Sequence, residues 1–298
     1  MKSAIVVSSV SPERCDTTQH LPEFCESAVE IVSHRQIGYG WGFGLHEALD
    51  QFGALFGPLV VAAVLARHGN YRTAFAVLLV PAVVTLMMLV IARFLYPRPE
   101  DLDASVPNIH AEGLPRVFWI YLAGAALVAA GFADFTLIAY HFEKASVVPA
   151  TWVPLFYSIA MAASGIGSLL FGRLFDRAGF WILIPLTLIA AASTPLVFLG
   201  GFWIALIGSA LWGIGMGVHE SIIPAAVATM VRAQRRPSAY GIFTAGYGLF
   251  WFIGSVIIGR LYDLSITALI VFSVVAQLVA IPVFVSVKKR VEANPFAP

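Results

Sequence analysis

Hydrophobic residues occur in long, nearly continuous runs along this chain, separated by short polar segments. A helix that crosses the roughly 30 Å hydrocarbon core of a bilayer needs about 20 mostly apolar residues. Eight runs are long enough, at residues 38–66, 73–96, 116–141, 151–171, 181–199, 203–231, 239–262 and 267–287. They do not alternate between apolar and polar positions, and each is longer than the roughly 10-residue strand of a membrane β-barrel. The pattern therefore predicts an all-α integral membrane protein with eight transmembrane helices.

Composition agrees with this class. Hydrophobic residues make up 59% of the 298 residues and charged residues only 12%, against roughly 45–50% and about 25% in soluble domains. The lipid bilayer is therefore the expected surrounding of the chain. The net charge of +1 gives no electrostatic support for a nucleic-acid partner.

Basic residues predict the orientation in the membrane. If the N-terminus is cytoplasmic, 14 of the 18 Lys and Arg residues fall on the cytoplasmic side. The exceptions are Arg67, Arg72, Lys144 and Arg260. Because cytoplasmic loops are enriched in Lys and Arg, we expect a multi-pass protein of the cytoplasmic membrane with both termini inside.

Polar segments divide the chain into unequal parts. Residues 1–37 form a polar tail that we expect to be disordered, and residues 291–298 form a second tail. The longest internal polar segment, 97–115, is rich in proline and reads as a cytoplasmic linker between two helical bundles. It would separate a two-helix part, 38–96, from a six-helix part, 116–290.

A weak internal repeat relates these two parts. Residues 35–53 align with residues 236–254, with identical residues at four positions: Arg35 with Arg236, Tyr39 with Tyr240, Gly40 with Gly241, and Gly53 with Gly254. The first span then corresponds to the seventh. A rival repeat aligns residues 42–47 with residues 215–220, so that the Gly-x-Gly-x-His-Glu pattern occurs in both. It carries less weight because the match stops after the His-Glu pair.

Two motifs resemble those of the major facilitator superfamily of transporters. The segment from Gly172 through Asp176 and Arg177 to Gly179 resembles the superfamily's cytoplasmic signature, although Phe180 and Trp181 stand where the strongest matches have basic residues. The first span carries Gly44, Gly53, Gly57 and Pro58 at a spacing that resembles the fifth-span motif of the proton-antiporter branch. It departs from that motif at Val61 and Ala62, where the family has two glycines.

The resemblance implies specific roles. The family is built from two six-helix bundles related by an axis along the membrane normal, so the first span here would be the fifth of twelve, with four helices lacking. The signature implies that Gly172, Asp176, Arg177 and Gly179 brace helices in one conformation. Gly53 and Gly57 would let another helix approach closely, and Pro58 permits a bend. An ordinary helix-packing seam is the alternative for these last three residues.

Ionisable residues inside membrane spans are costly and usually functional. The candidates for proton coupling or substrate binding are Glu47, Asp50, Asp134, Glu220, His219 and His46. Because Glu47 and Asp50 are three residues apart, the sequence places them on one helix face, with His46 nearby. Such carboxylates can bind and release protons as the bundles move. The alternative is packing, with Glu47 paired to His46 and Glu220 to His219.

An apolar cavity is the expected environment of the substrate. Tyr247, Phe250 and Trp251 lie in the middle of the seventh span and are candidates to line it. The positions of His46, Glu47 and Asp50 give no tetrahedral ligand set, so no metal site is predicted. No cofactor is predicted either, and no phosphate-binding glycine loop or hydrolase motif indicates an enzyme.

The sequence thus favours a secondary active transporter that exports a small organic solute by alternating access, coupled to protons. The alternative is a truncated, transport-inactive membrane protein, such as a fragment or a structural partner of a full-length transporter. A membrane-embedded enzyme is a weaker option. Self-association is expected if the truncation is real.

Overall fold

The computed structural model of the chain describes residues 38–68, 70–95 and 113–293. Within these ranges the chain is helical and contains no β-strand, so the predicted all-α fold is confirmed. The expected disorder of the N-terminal tail and most of the predicted linker lie outside the described residues. The α-helices are α1 (Tyr39–His68), α2 (Tyr71–Leu95), α3 (Arg116–Gly131), α4 (Phe135–Lys144), α5 (Val153–Ala178), α6 (Leu183–Leu199), α7 (Phe202–Gly217), α8 (Ile223–Met230), α9 (Arg236–Leu264) and α10 (Ile266–Ala293).

Seven helical stretches in the described residues are long and apolar enough to cross a membrane. One of them, Ala150–Leu199, is 50 residues long and contains both α5 and α6. The predicted count of eight differs by one because of this stretch. Gly179 follows the last residue of α5 with φ +60°, a conformation that favours glycine, and a 3₁₀ turn at Gly179–Ile182 leads into α6.

The stretch predicted as one span at 116–141 is divided. α3 ends at Gly131 and α4 begins at Phe135, and such a break leaves backbone carbonyls without helical partners. The Gly131 carbonyl accepts hydrogen bonds from Ser273 Oγ at 2.5 Å and from Gln277 Nε2 at 3.2 Å, both in α10. These side chains pair one carbonyl at the broken helix end, and unpaired backbone groups are costly within a membrane.

A second irregularity interrupts the stretch 202–230. Between α7 and α8, residues Val218–Ile222 form one turn of π-helix. Such turns are rare and often occur at functional sites. His219 and Glu220, two of the candidates from the sequence, lie in this turn.

α1 packs most extensively against α5, and small residues bring the two helices close together. A Cβ atom added at Gly40 would meet the Gly172 carbonyl, and one added at Gly44 would meet the Ser168 carbonyl. Ser168 Oγ also donates a hydrogen bond to the Gly44 carbonyl at 3.1 Å. This is the small-residue packing that lets helix backbones approach in membranes.

Many large apolar side chains remain exposed on the helix surfaces. On α2, Leu79, Met88 and Phe94 are 61%, 65% and 80% exposed. Exposed apolar side chains on long apolar helices are what a lipid environment allows. Together with the seven stretches, they identify an integral multi-pass membrane protein.

Candidate functional site

Three polar side chains join α1 to the π-helical turn. Gln51 Nε2 donates to Glu47 Oε1 within α1, and it donates to Glu220 Oε2 at 3.1 Å. Glu47 is 5% exposed and Gln51 is 6% exposed. We call Glu47, Gln51 and Glu220 the carboxylate bridge, because one amide group holds two carboxyl groups from different helices.

Local geometry explains how these residues meet. Glu47 and Gln51 are one helical turn apart, so their side chains lie on the same face of α1. The close packing of Gly44 against α5 fixes that face toward the centre of the helix assembly. Glu220 reaches it from the π-helical turn Val218–Ile222.

His219, next to the bridge, lies in an aromatic wall. Its Nδ1 is 2.8 Å from the Tyr247 hydroxyl. Its ring centroid is 4.3 Å from that of Phe132 and 5.6 Å from that of Trp251. His219 Nε2 is buried without a hydrogen-bond partner among the described residues, and Gln51 Oε1 is in the same situation. Buried polar atoms are normally paired, so these two atoms are exceptions within the described residues.

Asp134 forms a separate cluster at the break between α3 and α4. Its carboxylate accepts hydrogen bonds from Trp251 Nε1 at 2.8 Å and from Ser255 Oγ at 2.5 Å, both in α9. Asp134 and Ser255 also line a cavity of about 390 Å³ together with Tyr140. The carboxylate thus fixes α9 against the broken helix.

His46 and Asp50 form an exposed pair with each other. His46 Nδ1 is 3.5 Å from Asp50 Oδ2, and the two side chains are 79% and 67% exposed. Asp50 is three residues from Glu47 along α1, but its side chain is exposed, whereas Glu47 is buried and bonded to Gln51. The alternative pairing of Glu47 with His46 does not occur, since His46 pairs with Asp50 and Glu47 with Gln51.

The aromatic candidates separate into two groups. Tyr247 and Trp251 are part of the wall around His219, with their ring centroids 5.7 Å apart. Phe250 is 45% exposed and is not among the described rings in contact with His219. The proposed pairing of Glu220 with His219 is replaced by the contacts of His219 with Tyr247 and of Glu220 with Gln51.

The signature segment at the end of α5 contacts the start of α1. Asp176 accepts hydrogen bonds from the backbone N–H groups of Gly40 and Trp41, each at 2.8 Å. The first N–H groups of a helix lack helical partners and carry partial positive charge, which a carboxylate stabilises. Arg177 makes no hydrogen bond or ion pair within the described parts of the chain. Of the charged pair in the signature, only Asp176 braces α1 here.

The other first-span motif residues face open space. Apart from the neighbouring part of α1 itself, no described residue lies within 4 Å of a Cβ atom built on Gly53 or on Gly57. Pro58 lies inside α1, which continues to His68. The close helix approach in this structure is made by Gly40 and Gly44, so the roles inferred for Gly53, Gly57 and Pro58 remain predictions.

Sequence reasoning missed several residues of these clusters. Gln51 connects the two carboxyl groups, and its position one turn after Glu47 was the available signal. Ser255 and Ser168 are neutral residues in apolar helices, and nothing in the pattern distinguishes them. The rival repeat, which aligns residues 42–47 with residues 215–220, did relate the two carboxyl groups of the bridge, because it pairs Glu47 with Glu220.

Comparison with known proteins adds the family. Residues 38–203, more than half of the chain, match the family model of the Major Facilitator Superfamily. Uncharacterized proteins of Mycobacterium bovis and of two Mycobacterium tuberculosis strains are 36% identical over 269 residues. The match covers 87% of this chain and 65% of the length of each relative. The helical architecture and the family match lead to one conclusion: this chain belongs to the Major Facilitator Superfamily of membrane transporters.

Proposed function

We propose that this protein takes part in secondary active transport of a small organic solute, coupled to protons and directed outward, by alternating access. Membership of the superfamily supports a function in transport across a membrane. The carboxylate bridge is the observation that supports proton coupling. The solute class rests on the aromatic and apolar surroundings of the bridge.

Coupling follows from the contact between two carboxyl groups. Two carboxylates that share one site repel each other when both are ionised, and a proton bound by the pair removes that repulsion. Gln51 keeps Glu47 and Glu220 together while α1 lies against the π-helical turn. When the helices separate and water enters, the repulsion ends and the proton can leave. Helix movement and proton release are thereby linked.

The solute is expected to bind beside this bridge. His219 Nε2 and Gln51 Oε1 supply unpaired polar atoms, and the rings of Phe132, Tyr247 and Trp251 supply an apolar wall. Ligand sites of this kind combine a mostly apolar lining with a few polar groups that fix orientation. Movement of a solute into this position would compete with the contact between Glu47 and Glu220.

Proteoliposomes with an acidic interior and an external supply of ethidium test the proposal. We expect accumulation of ethidium that a protonophore abolishes and that Glu220→Gln reduces at least tenfold. Glu143→Gln is the matched control, because Glu143 is an exposed glutamate at the end of α4. Equal accumulation by wild type and by a Glu47→Gln, Glu220→Gln double variant would refute the coupling assignment. A membrane protein without transport activity of its own predicts no gradient-dependent accumulation in wild type.

A further inference from the structure

A cationic cavity lies along the seam between α1 and α5, where the last turns of α5 meet the start of α1. It has a volume of about 670 Å³ and is lined by Trp41 from α1 and by Arg173 and Arg177 from α5. The two arginines are four residues apart, so they project from the same face of α5. Within the described parts of the chain, neither arginine is within ion-pair distance of a carboxylate. The cavity therefore carries two positive charges that no carboxylate in the described parts of the chain neutralises.

Arg173 is held in place by stacking. Its guanidinium carbon lies 3.8 Å from the centroid of the Trp41 ring. A guanidinium stacked by its face keeps its N–H groups free at the edges, and these match the oxygens of a phosphate group. The tryptophan thus orients a phosphate-binding group at the end of the helices.

An apolar groove continues from this cavity toward the middle of the membrane. A second cavity of about 260 Å³ shares Ile166 and Leu169 with the first and extends to Leu55 and Met161. From Arg173 to Met161, α5 rises by about 18 Å at 1.5 Å per residue. One leaflet of the hydrocarbon core is about 15 Å thick. The groove therefore runs about one leaflet deep.

We propose that this groove binds one anionic phospholipid, with its phosphate between Arg173 and Arg177 and one acyl chain along Ile166 and Leu169. Charge complementarity selects an anionic headgroup, since a zwitterionic lipid brings its own positive charge to a site that already has two. The apolar continuation selects a lipid over a free phosphate ion. The bound lipid fills the seam between α1 and α5, the two helices that carry the Asp176 contact, and holds them together.

Native mass spectrometry of the delipidated full chain tests the proposal, with phosphatidylglycerol, phosphatidylcholine or inorganic phosphate added. We expect a retained phosphatidylglycerol adduct, and affinity lowered on the order of 20-fold in the Arg173→Gln, Arg177→Gln double variant. The matched control is Lys289→Gln, Arg290→Gln, which removes two exposed positive charges elsewhere. It should bind phosphatidylglycerol as wild type does.

A second variant separates the acyl groove from the headgroup site. Leu169→Trp fills the groove and leaves both arginines in place, so it should also weaken phosphatidylglycerol binding. Helix content measured by circular dichroism confirms that each variant is folded. Equal retention of phosphatidylcholine and phosphatidylglycerol, or wild-type affinity in the double arginine variant, would overturn the proposal. Displacement of the lipid by inorganic phosphate, or unchanged affinity in Leu169→Trp, would overturn the placement of the acyl chain.

Discussion

Replacement of Asp176 by asparagine is the sharpest perturbation of the contact between α1 and α5. The carboxylate accepts two backbone N–H bonds of 2.8 Å at the start of α1. Asparagine has nearly the same size but offers only one acceptor oxygen and no charge. The variant thus removes one hydrogen bond and the charge that both bonds share, while the packing stays in place.

The expected loss of local stability follows from these two hydrogen bonds. A hydrogen bond to a charged group contributes about 1.5–3 kcal/mol and a neutral one about 0.5–1.5 kcal/mol. Because Asp176 is exposed, we use the lower end for the charged bonds, about 3 kcal/mol for the pair. Asparagine retains one neutral bond of about 1 kcal/mol. The start of α1 should therefore lose about 2 kcal/mol against local opening, which corresponds to about a 30-fold change in the equilibrium.

Amide hydrogen exchange measures this opening directly, since it reports local unfolding. The amides of Gly40 and Trp41 should exchange about 30-fold faster in Asp176→Asn, and the middle of α1 should change little. Asp263→Asn is the control, because Asp263 is an exposed aspartate near the end of α9. If Gly40 and Trp41 exchange at the wild-type rate in Asp176→Asn, the carboxylate does not hold the start of α1.

Two further variants test packing and the Asp134 cluster by thermal unfolding in detergent. Gly44→Ala places a Cβ atom against the α5 backbone and should cost about 1–3 kcal/mol. Gly53→Ala meets no described residue outside its own part of α1, so it should leave stability unchanged or raise it by up to about 1 kcal/mol. Equal losses of stability in Gly44→Ala and Gly53→Ala would contradict the close packing of α1 against α5 at Gly44. Asp134→Ala leaves the donors of Trp251 and Ser255 unpaired and should cost about 1–3 kcal/mol. A Ser255→Ala background should reduce that loss, and an unchanged loss would exclude the shared cluster.

Much of the fold was predictable from hydropathy. Apolar runs of about 20 residues can exist in a bilayer only as helices, because every backbone group must be paired within the segment. The division of α3 from α4 was not predictable in this way. Residues 132–134 lie within an apolar run, and the partners that satisfy the Gly131 carbonyl are in α10, far along the chain.

The candidate site was only partly predictable. Because charged side chains are costly in a membrane, Glu47, Glu220 and Asp134 could be recognised as candidates from their residue type alone. It did not indicate which groups meet, because the direction of a side chain depends on packing. Glu47 faces inward since Gly44 sets the rotation of α1 against α5, and that contact involves two helices distant in sequence. Asp50, three residues further along α1, is exposed and pairs with His46 instead.

The central claim of the proposed function is that Glu47 and Glu220 act as one proton-binding pair. Infrared spectroscopy of the purified protein at neutral pH tests it through the carbonyl band of protonated carboxyl groups. We predict that wild type has one such band that disappears in Glu47→Gln, in Glu220→Gln and in the double variant, with no greater loss in the double variant than in either single one. A band that survives in either single variant, or its absence from wild type, would contradict the claim.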